Sequence, residues 1–127
     1  VTKVLMVDDE EVSRYLVRQL LPLGAFEITE ASNGVDGLKL AREEPPDVVL
    51  FDLKMPTMDG FEFLDGLAQS EPTRSLPAIA LTSIRLNAQQ RRQLARAAQI
   101  VPKSELSADV LVAAIRQAVR PPPESTP

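Results

Sequence analysis

The chain has 127 residues, 44% of them apolar and 25% charged, which is enough for one globular core and too short for two. It contains no cysteine and no histidine, which excludes disulfides, thiolate and imidazole metal sites, a Ser-His-Asp triad and a histidine phosphocarrier. No run approaches the roughly 18 consecutive apolar residues of a membrane span, and no signal-peptide pattern is present, so a cytoplasmic protein without membrane contact is expected.

The remaining chemistry must rest on carboxylates, hydroxyls, lysine and arginine. The formal charge of −4 is unevenly spread: residues 1–84 carry −8 and residues 85–120 carry +5. Two differently charged faces are expected. The chain begins at Val1 and not at a methionine, and reads as a piece of a longer protein.

In chain order, KVLMVDD (3–9) reads as a buried strand ending in acid. Glu11 to Leu21 follows with helical period, carrying Val12, Leu16 and Leu20, and stops near Pro22 and Gly24. FEITE (26–30) alternates as a strand exposed on one side, and Asn33-Gly34 opens a helix to about Glu44 with Val35, Leu38 and Ala41 inward. DVVLFD (47–52) is continuously apolar up to its final aspartate, as a central parallel strand buried on both faces should be. A loop to Gly60 leads into a third helix (61–69), and PAIALTS (77–83) is the fourth strand. A polar helix from about Leu86 to Ala98 precedes a short fifth strand, QIV (99–101). The last helix spans about Ala108 to Val119, with Ser107 as N-cap and Leu111, Ala114, Ile115 and Ala118 inward. PPPESTP (121–127) fits neither helix nor strand and reads as a linker or frayed tail, so the domain is expected over residues 1–120.

Five strands alternating with five helices predict an α/β fold with helices on both faces of one parallel sheet. In such sheets the functional crevice lies at the carboxyl ends of the strands. Those ends carry Asp8 and Asp9, Asp52, Thr82 and Ser83, and Lys103. Three carboxylates at one edge raise one another's pKa unless a cation relieves them, and an all-oxygen site that keeps waters suits Mg²⁺. Lys103 is a mobile point charge able to pair with Asp52. Singly, each of these residues has a structural explanation as a cap, turn former or surface charge; their coincidence at four of the five strand ends is the signal.

The sequence resembles the receiver domain of the two-component response regulator family from about Lys3 to Arg120. The motifs that carry the resemblance are the acidic pair Asp8-Asp9, the loop from Asp52 through Lys54, Met55-Pro56 and Asp59-Gly60, then Thr82 and Lys103. The resemblance implies the flavodoxin-like doubly wound (βα)5 fold, with a five-stranded parallel sheet in order 2-1-3-4-5. It implies that Asp52 accepts a phosphoryl group from a sensor histidine kinase or phosphotransfer protein, as in bacterial phosphorelays. Mg²⁺ would be held by Asp9, Asp52 and the backbone carbonyl of Lys54, with Asp8 acting through metal-bound water. Lys103 would stabilise the transferring group, Thr82 would hydrogen-bond a phosphoryl oxygen, and the domain would hydrolyse its own acyl phosphate without being a conventional enzyme.

Three positions depart from the family pattern. Ser104 stands where proline usually follows the lysine in a cis bond, and a cis peptide to serine costs about 2.5–4 kcal/mol, so the bond is cis with support or trans with a differently shaped loop. Ile100 replaces an aromatic on the fifth strand, so the switch is expected to run without a ring flip. Lys54 stands two residues past Asp52, where it is either solvent-exposed or able to slow dephosphorylation. Arg85, Arg91, Arg92 and Arg96 make the 85–120 face basic, which suits a partner protein or a second copy better than nucleic acid in so acidic a chain. The alternative of a degenerate receiver acting only as an interaction module would normally lack part of the acid pocket, which is complete here. An aspartate-nucleophile phosphohydrolase would need a second acid where Lys54 stands, and a flavin-binding relative would need a phosphate loop after the first strand.

Overall fold

The structure, a computed structural model, describes residues 1–119; the expected domain end at residue 120 and the tail 121–127 lie outside the described residues. Its strands are β1 (Thr2–Val7), β2 (Phe26–Ala31), β3 (Val48–Asp52), β4 (Ala78–Thr82) and β5 (Gln99–Pro102). All pair in parallel, in the expected order β2-β1-β3-β4-β5. Every residue of β3 and β4 is buried, which is what their unbroken apolar runs require of central strands.

The helices are α1 (Glu11–Leu20), α2 (Gly34–Glu43), α3 (Gly60–Ala68), α4 (Glu71–Arg74), α5 (Ala88–Gln93) and α6 (Ala108–Val119). A 3₁₀ turn, Lys103–Glu105, follows β5. On one face of the sheet Val4, Met6, Leu50, Ile79 and Leu81 meet Val17 of α1 and Leu111 and Ile115 of α6. On the other, Val7, Val49, Phe51 and Ala80 meet Leu38 of α2, Phe63 and Leu67 of α3, and Leu94 just past α5. The N-cap of α6 is Ser107, whose hydroxyl accepts the Val110 N–H at 3.1 Å.

Four details differ from the sequence expectation. In α1 the buried residue is Val17, whereas Val12 and Leu16 are exposed; the inward stripe is Ser13, Val17 and Leu20. In α2 Val35 is exposed and the stripe is Gly34, Gly37, Leu38 and Ala41. A β-carbon on Gly37 would meet Val7 at 2.8 Å and Phe63 at 3.0 Å, so the glycine side lies nearest the sheet. The polar helix expected to reach Ala98 ends at Gln93, because α5 buries none of its residues. Past it the Ala98 N–H bonds to Ala78 O at 2.7 Å, which starts the β5 ladder. The four-residue α4 was not expected; it is anchored by fully buried Thr73, whose hydroxyl donates to Leu67 O at 2.6 Å.

Phe63 is fully buried against Phe51, with ring centroids 5.5 Å apart. Phe63→Ala is expected to lower the unfolding free energy by about 3–5 kcal/mol, read from the urea midpoint at unchanged slope.

Candidate functional site

Strand register sets the site. Val7 pairs with Phe51 and Asp52 with Leu81, so Asp8, one residue past β1, stands level with Asp52 on the neighbouring strand. Asp8 is wholly buried and Asp52 is 4% exposed, whereas Asp9 is open to solvent. One carboxylate oxygen from each of the three lies within 4.8 Å of the others. The expected triad is therefore assembled among the described residues.

Two buried like charges at this separation need compensation. Lys103 supplies it, with Nζ 3.1 Å from Asp8 Oδ2 and 3.2 Å from Asp52 Oδ1. The lysine comes off β5 through trans peptide bonds, since the described residues contain no cis bond, and the 3₁₀ turn carries Ser104 where the family pattern has proline. Burial pushes the Asp52 carboxyl above its ordinary value and Asp8 adds to the rise; Lys103 and the Lys54 backbone only partly oppose it. Burial alone would lower Lys103, but its pairing with Asp8 and Asp52 outweighs that and raises it.

Backbone contacts fix the rest. Asp8 Oδ1 accepts the Glu10 N–H at 2.9 Å, and Arg14 of α1 donates to the Asp8 carbonyl at 2.7 Å. The loop after β3 closes through the Gly60 N–H to Leu53 O at 2.9 Å. Only glycine fits at position 60, because a β-carbon would stand 2.5 Å from Asp52 O and 2.6 Å from Leu53 Cα. Asp59 then starts α3 with a reciprocal capping box to Glu62.

A cleft of about 620 Å³ opens above Asp52, lined by Asp9, Glu10, Asp52, Lys54, Met55, Pro56 and Ser83. The Lys54 residue is exposed at its rim. Thr82 is buried at the end of β4, and its hydroxyl is engaged in its own loop, accepting the Ile84 N–H at 3.0 Å. Ser83, not Thr82, lines the cleft. Ile100 borders a separate cavity of about 400 Å³ with Thr82, Ile84, Leu86 and Arg91. Arg85, Arg91, Arg92 and Arg96 are all exposed, and none forms an ion pair among the described residues.

Two site residues were not anticipated. Ser13 Oγ accepts from Lys103 Nζ at 3.1 Å, and Arg14 holds the Asp8 carbonyl. The signal that could find Ser13 is a helical period through Ser13, Val17 and Leu20, which puts it on the inward stripe.

A sequence profile of the response regulator receiver domain matches residues 4–116. The chain is 37% identical to the protein PilH of Pseudomonas aeruginosa over 81 residues, 64% of this chain and 67% of PilH. The response regulator domain of Thermotoga maritima CheB superposes with a TM-score of 0.82 at 26% identity, covering 97% of this chain and 99% of that one. The receiver domain of the Pseudomonas aeruginosa sensor histidine kinase PA1611, which has a magnesium ion in its active-site cleft, superposes at 0.83 and 21% identity, over 93% of this chain and 97% of that one. The last likeness is one of fold. The chain belongs to the response regulator receiver family, and is a receiver domain of two-component signalling.

The raised Asp52 value has a consequence for stability. Folded Asp52 keeps its proton to a higher pH than unfolded Asp52, whose ordinary value is 3.8. Stability therefore falls as pH rises from about 4 through the raised value, and stays reduced above it. In metal-free protein Asp52→Asn is expected to raise the thermal midpoint at pH 7 and to flatten that fall, since Lys103 keeps Asp8 as its partner. Thermal melts of both proteins between pH 4 and pH 8 check it.

Proposed function

We propose that Asp52 is the phosphoacceptor of this receiver, and that its donor is a sensor histidine kinase or phosphotransfer protein in the cytoplasm. The observation that carries this reading is the placement of Asp52: buried to 4% exposure, rigid at the tip of the central strand, paired with Lys103, and facing an open cleft. An Asp52 oxygen attacks the phosphorus of a phospho-imidazole; the P–O bond forms as the P–N bond breaks, and the imidazole leaves. Lys103 is placed to meet the charge that spreads over the phosphoryl oxygens. Attack by water on phosphorus then breaks the P–O bond, releases phosphate and restores the carboxylate, so the domain resets itself without being a conventional enzyme.

The donor set fits a hard divalent cation: every candidate ligand is oxygen, and three carboxylates lie within 4.8 Å beside an open cleft. Asp9, Asp52 and the Lys54 carbonyl are the residues proposed to hold Mg²⁺, with Asp8 acting through a water. When bound, Mg²⁺ supplies positive charge against the carboxylates and the phosphoryl oxygens. The magnesium in the cleft of the PA1611 receiver supports this reading. Exposed Val12, Tyr15 and Leu16 on α1 give the donor an apolar surface beside the cleft. The unpaired arginines at 85–96 suit an output partner or a second copy, by charge.

Incubation with acetyl phosphate and Mg²⁺ is expected to add one phosphoryl group to the wild type and none to Asp52→Ala, as read by intact mass. An unmodified wild type would favour a degenerate receiver that acts only as an interaction module. The switch has its own expected outcome. A phosphoryl mimic on Asp52 draws the Thr82 hydroxyl off the Ile84 N–H and shifts residues 83–86, with no aromatic ring moving on β5. Structures with and without the mimic check this; an unchanged backbone from Ser83 to Leu86 rejects it.

A further inference from the structure

Ser13 is the polar member of the stripe that α1 turns inward, followed by Val17 and Leu20. Its hydroxyl does not cap the helix; it accepts from Lys103 Nζ at 3.1 Å. The ammonium donates to Asp8 Oδ2 at 3.1 Å and to Ser13 Oγ at 3.1 Å, and it is ion-paired with Asp52 Oδ1 at 3.2 Å. Three oxygens thus surround it, two of them at strand ends and the third on a helix on one face of the sheet.

That third contact matters because of how Lys103 is mounted. Its backbone enters a 3₁₀ turn through trans bonds, and its side chain is a flexible four-carbon stem that loses much rotamer freedom when fixed. Two neighbouring carboxylates alone let the ammonium drift from one to the other. A neutral acceptor on α1 fixes the approach without adding charge to an acidic pocket. We propose that Ser13 is a positioning residue for Lys103: it holds the ammonium between Asp8 and Asp52, so that the transferring phosphoryl group meets a preset cation. The proposal rests on Asp52 being the phosphoacceptor.

The test compares wild type, Ser13→Ala, Ser13→Thr, Lys103→Ala and the double variant Ser13→Ala/Lys103→Ala. Each is phosphorylated by acetyl phosphate with Mg²⁺, and rates are followed by intact mass over a range of donor concentration. Ser13→Ala is expected to lower the maximal rate by about three- to tenfold, the effect of loosening one hydrogen bond to a charged group. The half-saturating donor concentration stays put, and Ser13→Thr restores the rate. In the Lys103→Ala background the same substitution changes nothing, as required if Ser13 acts through the lysine. In metal-free protein, nitrogen-15 NMR is expected to show faster exchange of the Lys103 ammonium protons with water in Ser13→Ala. An undiminished maximal rate, or equal slowing with and without Lys103, overturns the proposal. If the wild type takes up no phosphoryl group, the phosphoacceptor reading fails instead, and unchanged ammonium exchange then rejects the Ser13 assignment separately.

Discussion

Two aspartates lie buried at the ends of adjacent strands, and one ammonium from two strands away makes that burial tolerable. Asp8 follows β1 and Asp52 ends β3, while Lys103 follows β5, with β4 lying between β3 and β5 in the sheet. The lysine stem must therefore pass over the end of β4 to reach its partners. Breaking a buried pair of this kind leaves an uncompensated charge, worth about 3–5 kcal/mol in comparable cases. Strand order and the reach of lysine are thus one constraint. Even so, burial and the neighbouring Asp8 hold the Asp52 carboxyl above its ordinary value, and Lys103 offsets them only in part.

The second support comes from α1, which starts three residues after Asp8. Arg14 ties the Asp8 carbonyl to Glu30 at the end of β2 and to Glu11, and Arg18 bridges the same two glutamates. Single exposed pairs of this sort contribute little, but two arginines and two glutamates sharing partners form a network. It fixes the azimuth of α1 about its own axis. With the arginines held toward β2, Val17 and Ser13 face inward, and Val12 and Leu16 are left outside. The same electrostatics that anchor the strand end therefore decide which side of the helix sees the site.

How much was legible in the sequence follows from the same facts. Continuous apolar runs define β1, β3 and β4, and the strand-end rule then brings Asp8, Asp9, Asp52 and Lys103 together, as the structure does. Helix faces were harder. In α1, Val12, Leu16 and Leu20 form as good a period as Val17, Leu20 and Leu21, and charge pairs with β2, invisible to periodicity, settle the choice. Ser13 was hidden by that ambiguity. In α2 the inward stripe runs through Gly34 and Gly37, which carry no hydrophobic signal but allow close approach to Val7 and Phe63. Helix propensity continues past Gln93 and so predicts a longer polar helix before β5, whereas burial of Leu94 and pairing of Ala98 with Ala78 end it.

Thr82 shows why an acid pocket alone is not a switch. The sequence pattern puts it at the strand end, where the structure has it, but its hydroxyl is engaged locally, accepting the Ile84 N–H, and Ser83 faces the cleft instead. The hydroxyl proton goes to Ile84 O at 3.4 Å, and donating it to an anionic oxygen instead would trade a neutral hydrogen bond for a charge-assisted one, roughly twice as strong. Where the shift also parts the hydroxyl from the Ile84 N–H, that N–H would need another acceptor or water, which would offset part of the gain. Behind the loop lies the cavity of about 400 Å³ bordered by Ile84, Leu86 and Ile100, so the chain can move there without displacing a ring. A difference of a few kcal/mol between two such arrangements is what a two-state element needs if a ligand is to shift it. Ile100 therefore borders open space where the family pattern has an aromatic ring, and the proposed movement of Thr82 would rest on hydrogen-bond exchange and not on a ring flip.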